Sequence, residues 1–578
     1  MKKIFVSAVV LLATVLLCQG QAVLPEKWKF QKGDNPEYAS LSFDDSGWAT
    51  IVPGTVWEQQ GYNMYDGFAW YRVSFTIPAS LKKEAKQYGG LEVHLGKIDD
   101  SDETFFNGVM IGATGKMPPK DVTAWDTQRS YTIPSDKVNW GGKNTLAVRV
   151  FDSGGNGGIY FSPIEITTKG IADFIVFTPA FKEEDRIIKG SPDIEIPVRV
   201  KNEFKKDIIG AITLKVVSDF GDEIATFKKD VKIKKGTEAS FSFPVKNIAP
   251  GFYKVTARVQ STSASREILF NFGYEPEKIA SPADPRPDFN EFWAAAKREL
   301  AQVDPQYKMV KKDSLCTPEH NVYLVEMRSL GNARIRGWLQ VPVKPGKYPA
   351  IMQVPGYSST IMPEYINYGD DIIGFGLNIR GHGNSKADVN PGFPGYILSG
   401  LENKETYIYR GAYMDCARGI DFLFSLPEVD TTRVGVEGGS QGGALTFATA
   451  ALNNTRIAAC APQVPFLSDF QHYFKVASWP GNEFTTYVEQ EHKQTWEQVF
   501  NTLSYFDIKN LAPMIKAPLL MSCGLRDDVC PNHINFAAYN NVHSPKAYFA
   551  YPEAGHGVPQ AFYIEKMKFF RAKFGLTK

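Results

Sequence analysis

Through the first half of this chain apolar residues recur at every second position, and at about residue 275 that rhythm stops. Few features limit the fold as strongly, because a period of two means strands with one buried face. It is visible in LEVHLGKI at 91–98, in NTLAVRVFD at 144–152, in Ile194, Ile196, Val198 and Val200, and in Tyr253, Val255, Ala257 and Val259. The proline-rich EPEKIASPADPRPDF at 275–289 breaks the alternation and reads as a linker. Beyond it the apolar runs YPAIMQV (348–354), DIIGFGLNI (371–379), RVGVEGG (433–439), APLLMSCG (517–524) and KAYFAYP (546–552) are separated by helix-length amphipathic segments. That order argues for a mainly parallel sheet covered by helices on both faces. A chain of 578 residues has room for three or four domains. The patterns divide it into an all-β segment at 23–169, a second one at 170–275 that reads as an immunoglobulin-like sandwich, and an α/β domain at 276–578. The middle segment carries no catalytic constellation and is expected to be a spacer.

Residues 1–22, MKKIFVSAVVLLATVLLCQGQA, combine two lysines, a short apolar core and small residues at Gly20 and Ala22, the pattern of a secretory signal peptide. A secreted or periplasmic product is expected. Anchoring as a lipoprotein through Cys18 is the lesser reading, since Leu17 is bulky where a small residue should precede the lipidated cysteine. No later stretch is apolar enough to span a membrane. A net charge of +1 from interspersed charges excludes the basic field of a nucleic-acid binder. Cys316, Cys416, Cys460, Cys523 and Cys530 have no framework spacing, so buried free thiols are expected, with Cys523 and Cys530 left open as one bridge. The eight histidines form no metal-ligand spacing, so neither metal nor cofactor is called for.

In the first segment Trp48, Trp57, Trp70 and Tyr71 could stack on sugar rings, but a small sandwich needs large aromatics to fill its interior, and a core role is preferred. Asp99, Asp100, Asp102 and Glu103 could bind calcium; a solvated turn is the preferred reading.

The chemistry centres on VGVEGGSQGGALTF at 434–447. There a strand ends, Ser440 occupies the turn, and a helix expected over 444–454 begins, the setting that makes GxSxG informative. Such a turn strains the backbone at the serine, and Gly438 and Gly442 would remove collisions between the crossing strand and helix. A hydroxyl is a poor nucleophile at neutral pH, so a base and an orienting carboxylate are required. CGLRDDVCP at 523–531 offers Asp527 or Asp528, and YPEAGHGVP at 551–559 offers His556. Ser, acid and His in that order is the order of α/β-hydrolases.

Two resemblances extend this reading. DDSGWATIVPGTVWEQQGY (44–62), AWYRVSFTIP (69–78), DDSDETFFNGVMIG (99–112) and NTLAVRVFD resemble the galactose-binding-like jelly roll of glycoside hydrolase family two enzymes, which implies a carbohydrate-associated β-sandwich. RPDFNEFW (286–293), VPGYSS (354–359), YIYRGAYMDCARGIDFL (407–423), LPEVDTTRVGVEGGSQGG (426–443), LSYFDIKN (503–510), GLRDDVCP and the terminal Gly-His resemble the acetyl xylan esterases and cephalosporin-C deacetylases of carbohydrate esterase family seven. That resemblance implies Asp527 as the acid, backbone N–H groups of Tyr357 and Gln441 as the oxyanion hole, Arg380 as a buttress, and an acetylated carbohydrate as substrate. Two departures stand out. The family's Arg-Gly-Gln is Arg380-Gly381-His382 here, and its His-Glu ending is His556-Gly557. They imply a diverged pocket or assembly; family members often form rings, so a homo-oligomer is compatible with the sequence.

The expectation is therefore a secreted serine carbohydrate esterase acting on acetyl esters of poly- or oligosaccharides through an acyl-enzyme. The alternatives are a carbohydrate-binding protein with an inactive hydrolase domain, and a serine hydrolase of bulkier esters such as feruloyl esters, or of peptides.

Overall fold

The strand that leads to Ser440 lies in the middle of a nine-stranded sheet, and the order of that sheet explains where a site can form. The structure is a computed structural model describing all residues except 1–20, 63–64, 120–122, 126, 155–156, 478 and 577–578. Most of the signal segment, including Cys18, therefore lies outside the described residues; Gln21–Ala22 pair as a short strand with Ile166 and Thr167. None of the described helices is long and apolar enough to cross a membrane.

The sheet runs Lys308–Lys311, His320–Arg328, Arg334–Pro342, Ile373–Asn378, Tyr348–Gln353, Val429–Gly439, Ala459–Gln463, Leu519–Gly524, Lys546–Tyr551. The pairings up to Ile373–Asn378 are antiparallel, and every later one is parallel. All five apolar runs of the sequence appear in it. The strand Ala459–Gln463 was missed because ACAPQ is short and carries no alternation, and the antiparallel strands at 308–342 were not anticipated. Ile373–Asn378 and Leu519–Gly524 are buried along their whole length, which is why their sequences show no polar face. The helices Ile408–Ser425 and Gln441–Leu452 are sunk almost completely into the same core. Chain order reverses between Tyr348–Gln353 and Val429–Gly439, which are neighbours in space. Such a switch opens a crevice at the carboxyl ends of the two strands.

Ahead of this sheet, residues 21–168 form a six-stranded and a five-stranded antiparallel sheet that share one apolar core. Trp57, Trp70 and Tyr71 are fully buried, as expected for core aromatics, and Trp48 packs against Tyr38 beside Trp70. The acidic run departs from expectation. Instead of a solvated turn it occupies strands Leu91–Asp99 and Ser101–Phe106, with Asp100 and Asp102 buried. Asp102 is tolerated there because Arg129 Nε lies 2.9 Å from its Oδ1 and Tyr131 and Thr104 donate to it. Burial, and then the adjacent Asp100 carboxylate, push Asp99 up to about 9. Residues 175–274 form a three-stranded and a five-stranded sheet around a second core.

The linker is more than a tether. Pro276 and Ser281 are buried, Ser281 Oγ donates to Asp469 Oδ2 at 2.8 Å, and Asn540 and Asn541 hold the backbone of Pro276, Ile279 and Ser281. Proline breaks periodicity whether a segment is mobile or packed, so sequence could not separate the two. All five described cysteines are free thiols, Cys523 and Cys530 included; only Cys316 is not buried.

Candidate active site

The candidate site is assembled at the carboxyl ends of four strands. Val429–Gly439 ends one residue before Ser440, whose backbone at φ 60° and ψ −121° lies where residues with a side chain rarely go. Three hydrogen bonds impose that geometry: Ser440 N donates to Gln463 O at 2.9 Å, and Ser440 O accepts from Phe466 N at 3.0 Å and Ala444 N at 3.1 Å. The glycines are required by space. A Cβ on Gly438 would stand 2.6 Å from the Val354 carbonyl oxygen, and one on Gly442 only 2.4 Å from the same atom. Gly443 has the same constraint against Gln463 O, at 2.7 Å, so the turn needs a third glycine that the sequence argument did not single out. The helix begins at Gln441, three residues before the expected start, because the serine turn itself supplies its first carbonyl.

Asp527 and His556 come from the loops after Leu519–Gly524 and Lys546–Tyr551, strands that pair in parallel. Leu525 N donates to Tyr551 O and Arg526 N to Ala554 O, tying the loops together. Asp527 Oδ1 accepts from Val529 N and Cys530 N at 2.9 and 2.8 Å, leaving Oδ2 for His556 Nδ1 at 2.9 Å. The Asp527 side chain is 0% exposed and that of His556 15%, whereas Asp528 points to solvent. Cys530 is buried between these groups: burial, and then the Asp527 carboxylate, push its thiol well above the usual range, with the Ser440 hydroxyl acting in the opposite direction.

Tyr357 and Gln441 face the same end of the sheet. Among the described residues neither backbone amide donates to a protein group. Their side chains, for which sequence suggested no part, are held tightly. The Tyr357 hydroxyl donates to Glu483 at 3.0 Å, and burial together with that carboxylate raises its pKa well above the usual phenol value. Gln441 Oε1 accepts from Tyr409 at 2.6 Å, and its Nε2 faces Pro355 O, Gly356 O and, at 3.0 Å, His382 Nε2. Two carbonyl neighbours identify that end of the side chain as the amide nitrogen, a donor only. His382 Nε2 must therefore be the acceptor and Nδ1 must carry the proton, toward Arg380 O at 3.4 Å. Burial, reinforced by Lys386, lowers the His382 pKa to about 4, against the opposing bond to Arg380 O. A neutral histidine thus occupies the place of the family's glutamine and accepts the bond from Gln441. Arg380 buttresses this loop through a two-point pair with buried Asp415, at 2.7 and 2.9 Å, and a bond to Leu330 O. A Cβ at Gly411 would lie 2.1 Å from the Arg380 guanidinium, so helix Ile408–Ser425 gives up a side chain to seat it. Glu483 had no sequence signal, because it approaches Tyr357 from 126 residues away.

A serine on a strained turn after a central strand, with a bonded acid and histidine on the next loops, defines the α/β-hydrolase class of catalytic domain. The family model for acetyl xylan esterase (AXE1) matches residues 274–574, just over half of the chain, and the chain belongs to that family. It is 30% identical over 290 residues to acetyl esterase Axe7A of Xylanibacter ruminicola, a match covering 47% of this chain and 64% of that protein. The chain thus spans slightly less than two thirds of that relative's length. Among solved structures, acetyl xylan esterase 1 from Thermoanaerobacterium sp. JW/SL YS485 is 32% identical with a TM-score of 0.49, over 52% of this chain and 97% of that one. The acetyl xylan esterase from Paenibacillus sp. R4 gives 32% and 0.49, over 51% and 98%.

Proposed function

We propose that this protein is an exported serine carbohydrate esterase that removes acetyl groups from poly- or oligosaccharides, its chain divided into a jelly roll at 23–169, an immunoglobulin-like sandwich at 170–275 and the hydrolase domain at 276–578. The observation that carries the reading is the 2.9 Å bond from His556 Nδ1 to Asp527, together with a serine held at positive φ at the end of the central strand. In the proposed reaction His556 takes the Ser440 proton through Nε2, and Ser440 Oγ attacks the acetyl carbonyl. Asp527 keeps the proton on Nδ1 and stabilises the imidazolium. The tetrahedral oxyanion is received by the Tyr357 and Gln441 amides, each such donor typically supplying about 3–4 kcal/mol of barrier reduction. The protonated imidazole releases the sugar hydroxyl, and water activated by the same base hydrolyses the acetyl-serine. The clamp of Tyr409 and His382 on Gln441 supports the oxyanion assignment, since pre-oriented donors cost nothing to organise during reaction.

Ser440→Ala tests the reading. Hydrolysis of p-nitrophenyl acetate and acetate release from acetylated xylan should both fall by several orders of magnitude with the unfolding midpoint preserved. Retained turnover would refute the nucleophile.

A further inference from the structure

Trp125 lies between strands Val109–Thr114 and Gln128–Ile133 of the N-terminal sandwich, yet it stands at the proposed catalytic loop. Its indole Nε1 lies 3.3 Å from where a Cβ on Gly557 would be, and Gly557 follows His556 directly. The family's glutamate at this position would bring its Cβ to that distance, so the indole would have to shift by a few tenths of an ångström to admit it.

The backbone at Ala124 and Trp125 is held by hydrogen bonds to the sandwich. Ala124 N donates to Asp100 O at 2.9 Å, and Tyr160 donates to Trp125 O at 2.7 Å. Arg129, buried beside Asp102, donates to Ala124 O at 2.6 Å and to Thr127 O, and also to Ile98 O and Asp100 O. The buried guanidinium thus ties the backbone on either side of Trp125, at Ala124 and Thr127, to the end of strand Leu91–Asp99 and to Asp100.

The indole N–H of Trp125 is not spent on a protein acceptor. Trp28, Trp57, Trp70, Trp140, Trp293 and Trp496 each donate their indole N–H to a protein oxygen at 3.0–3.2 Å. Among the described residues the half-buried Trp125 indole has no such acceptor. Thr123, two residues before Trp125, and Val558, directly after Gly557, border a cavity of about 180 Å³ between the N-terminal sheets and the segment after His556, together with Asp100, Lys116, Ser153 and Gln560. An aromatic face with a free donor, next to a polar cavity, is suited to a pyranose or furanose ring, which presents an apolar C–H face and a rim of hydroxyls.

We propose that Trp125 and this cavity form a glycan subsite of the active site, contributed by the N-terminal sandwich, that holds a sugar ring adjoining the one whose acetyl ester is cleaved. The subsite rests on the esterase reading above and gives the sandwich a part in substrate selection.

The test compares two substrates, acetylated xylo-oligosaccharides and p-nitrophenyl acetate, which has no sugar. In Trp125→Ala the ratio of kcat/KM for the oligosaccharide to that for p-nitrophenyl acetate should fall about tenfold, equivalent to about 1.4 kcal/mol, with the change in KM. Trp125→Phe keeps an aromatic face and should recover most of the ratio. A titration of Ser440→Ala with the same oligosaccharides should show the corresponding loss of affinity when Trp125→Ala is added. An unchanged ratio, or equal losses on both substrates, would overturn the subsite and leave Trp125 as a strut for the His556 loop. If the native enzyme hydrolyses p-nitrophenyl acetate but no acetylated oligosaccharide, the carbohydrate reading itself fails and the subsite with it.

Discussion

Replacing His382 by the glutamine usual in this family should make the protein markedly more resistant to acid. His382 is 0% exposed and its pKa lies near 4, against about 6.5 for an unfolded histidine. A base whose folded pKa is depressed takes up its proton on unfolding, so its neutral form stabilises the fold fully above about pH 6.5. That stability is lost as pH falls from 6.5 through 4. At about 1.4 kcal/mol per pH unit the displacement amounts to about 3 kcal/mol between pH 7 and pH 4. Glutamine can accept the bond from Gln441 Nε2 and donate toward Arg380 O, as His382 does, but does not titrate. At pH 7 the two proteins should differ by less than about 1.5 kcal/mol, as for other substitutions of similar volume. At pH 4 the variant should be favoured by about 3 kcal/mol relative to its position at pH 7. Urea unfolding of both proteins at the two pH values measures this, and other acid-sensitive groups, such as the depressed Asp469 carboxylate, cancel in the comparison. Parallel loss of stability in both proteins would show that His382 is not held neutral by burial and would undo the tautomer argument.

Three further outcomes follow from the same geometry. Asp527→Asn should leave the fold intact but lower kcat by about 10⁴, because the amide favours the wrong imidazole tautomer; steady-state assays at pH 8 check it. Gly442→Ala forces a methyl to 2.4 Å from Val354 O, and should cost about 1–3 kcal/mol in denaturant unfolding while lowering kcat through the displaced serine turn. Lys566 Nζ lies 2.6 Å from Glu437 Oε2 with both side chains buried, and Lys566→Met, which leaves that carboxylate without its cation, should destabilise by about 3–5 kcal/mol in urea unfolding at pH 7.

Much of the hydrolase half could be read directly because its signals are local. Strands buried on both faces must be apolar throughout, and the elbow needs small residues within a few positions of the serine. The strand Ala459–Gln463 escaped because five residues without alternation resemble any loop. The acidic run was misread for a different reason: Asp102 is buried only because Arg129, distant in sequence, meets it.

What the sequence determined alone was the kind of chain this is: alternating strands followed by an α/β pattern, a serine between glycines, and an acid and a histidine behind it in order. These are short-range consequences of backbone sterics and side-chain period. Tertiary structure decided the pairing of Asp527 with His556, the clamp of His382 on Gln441, the packed linker and the approach of Trp125 to Gly557. Each joins residues from separate elements through a distance or a desolvated charge, quantities that exist only once the chain has closed on itself.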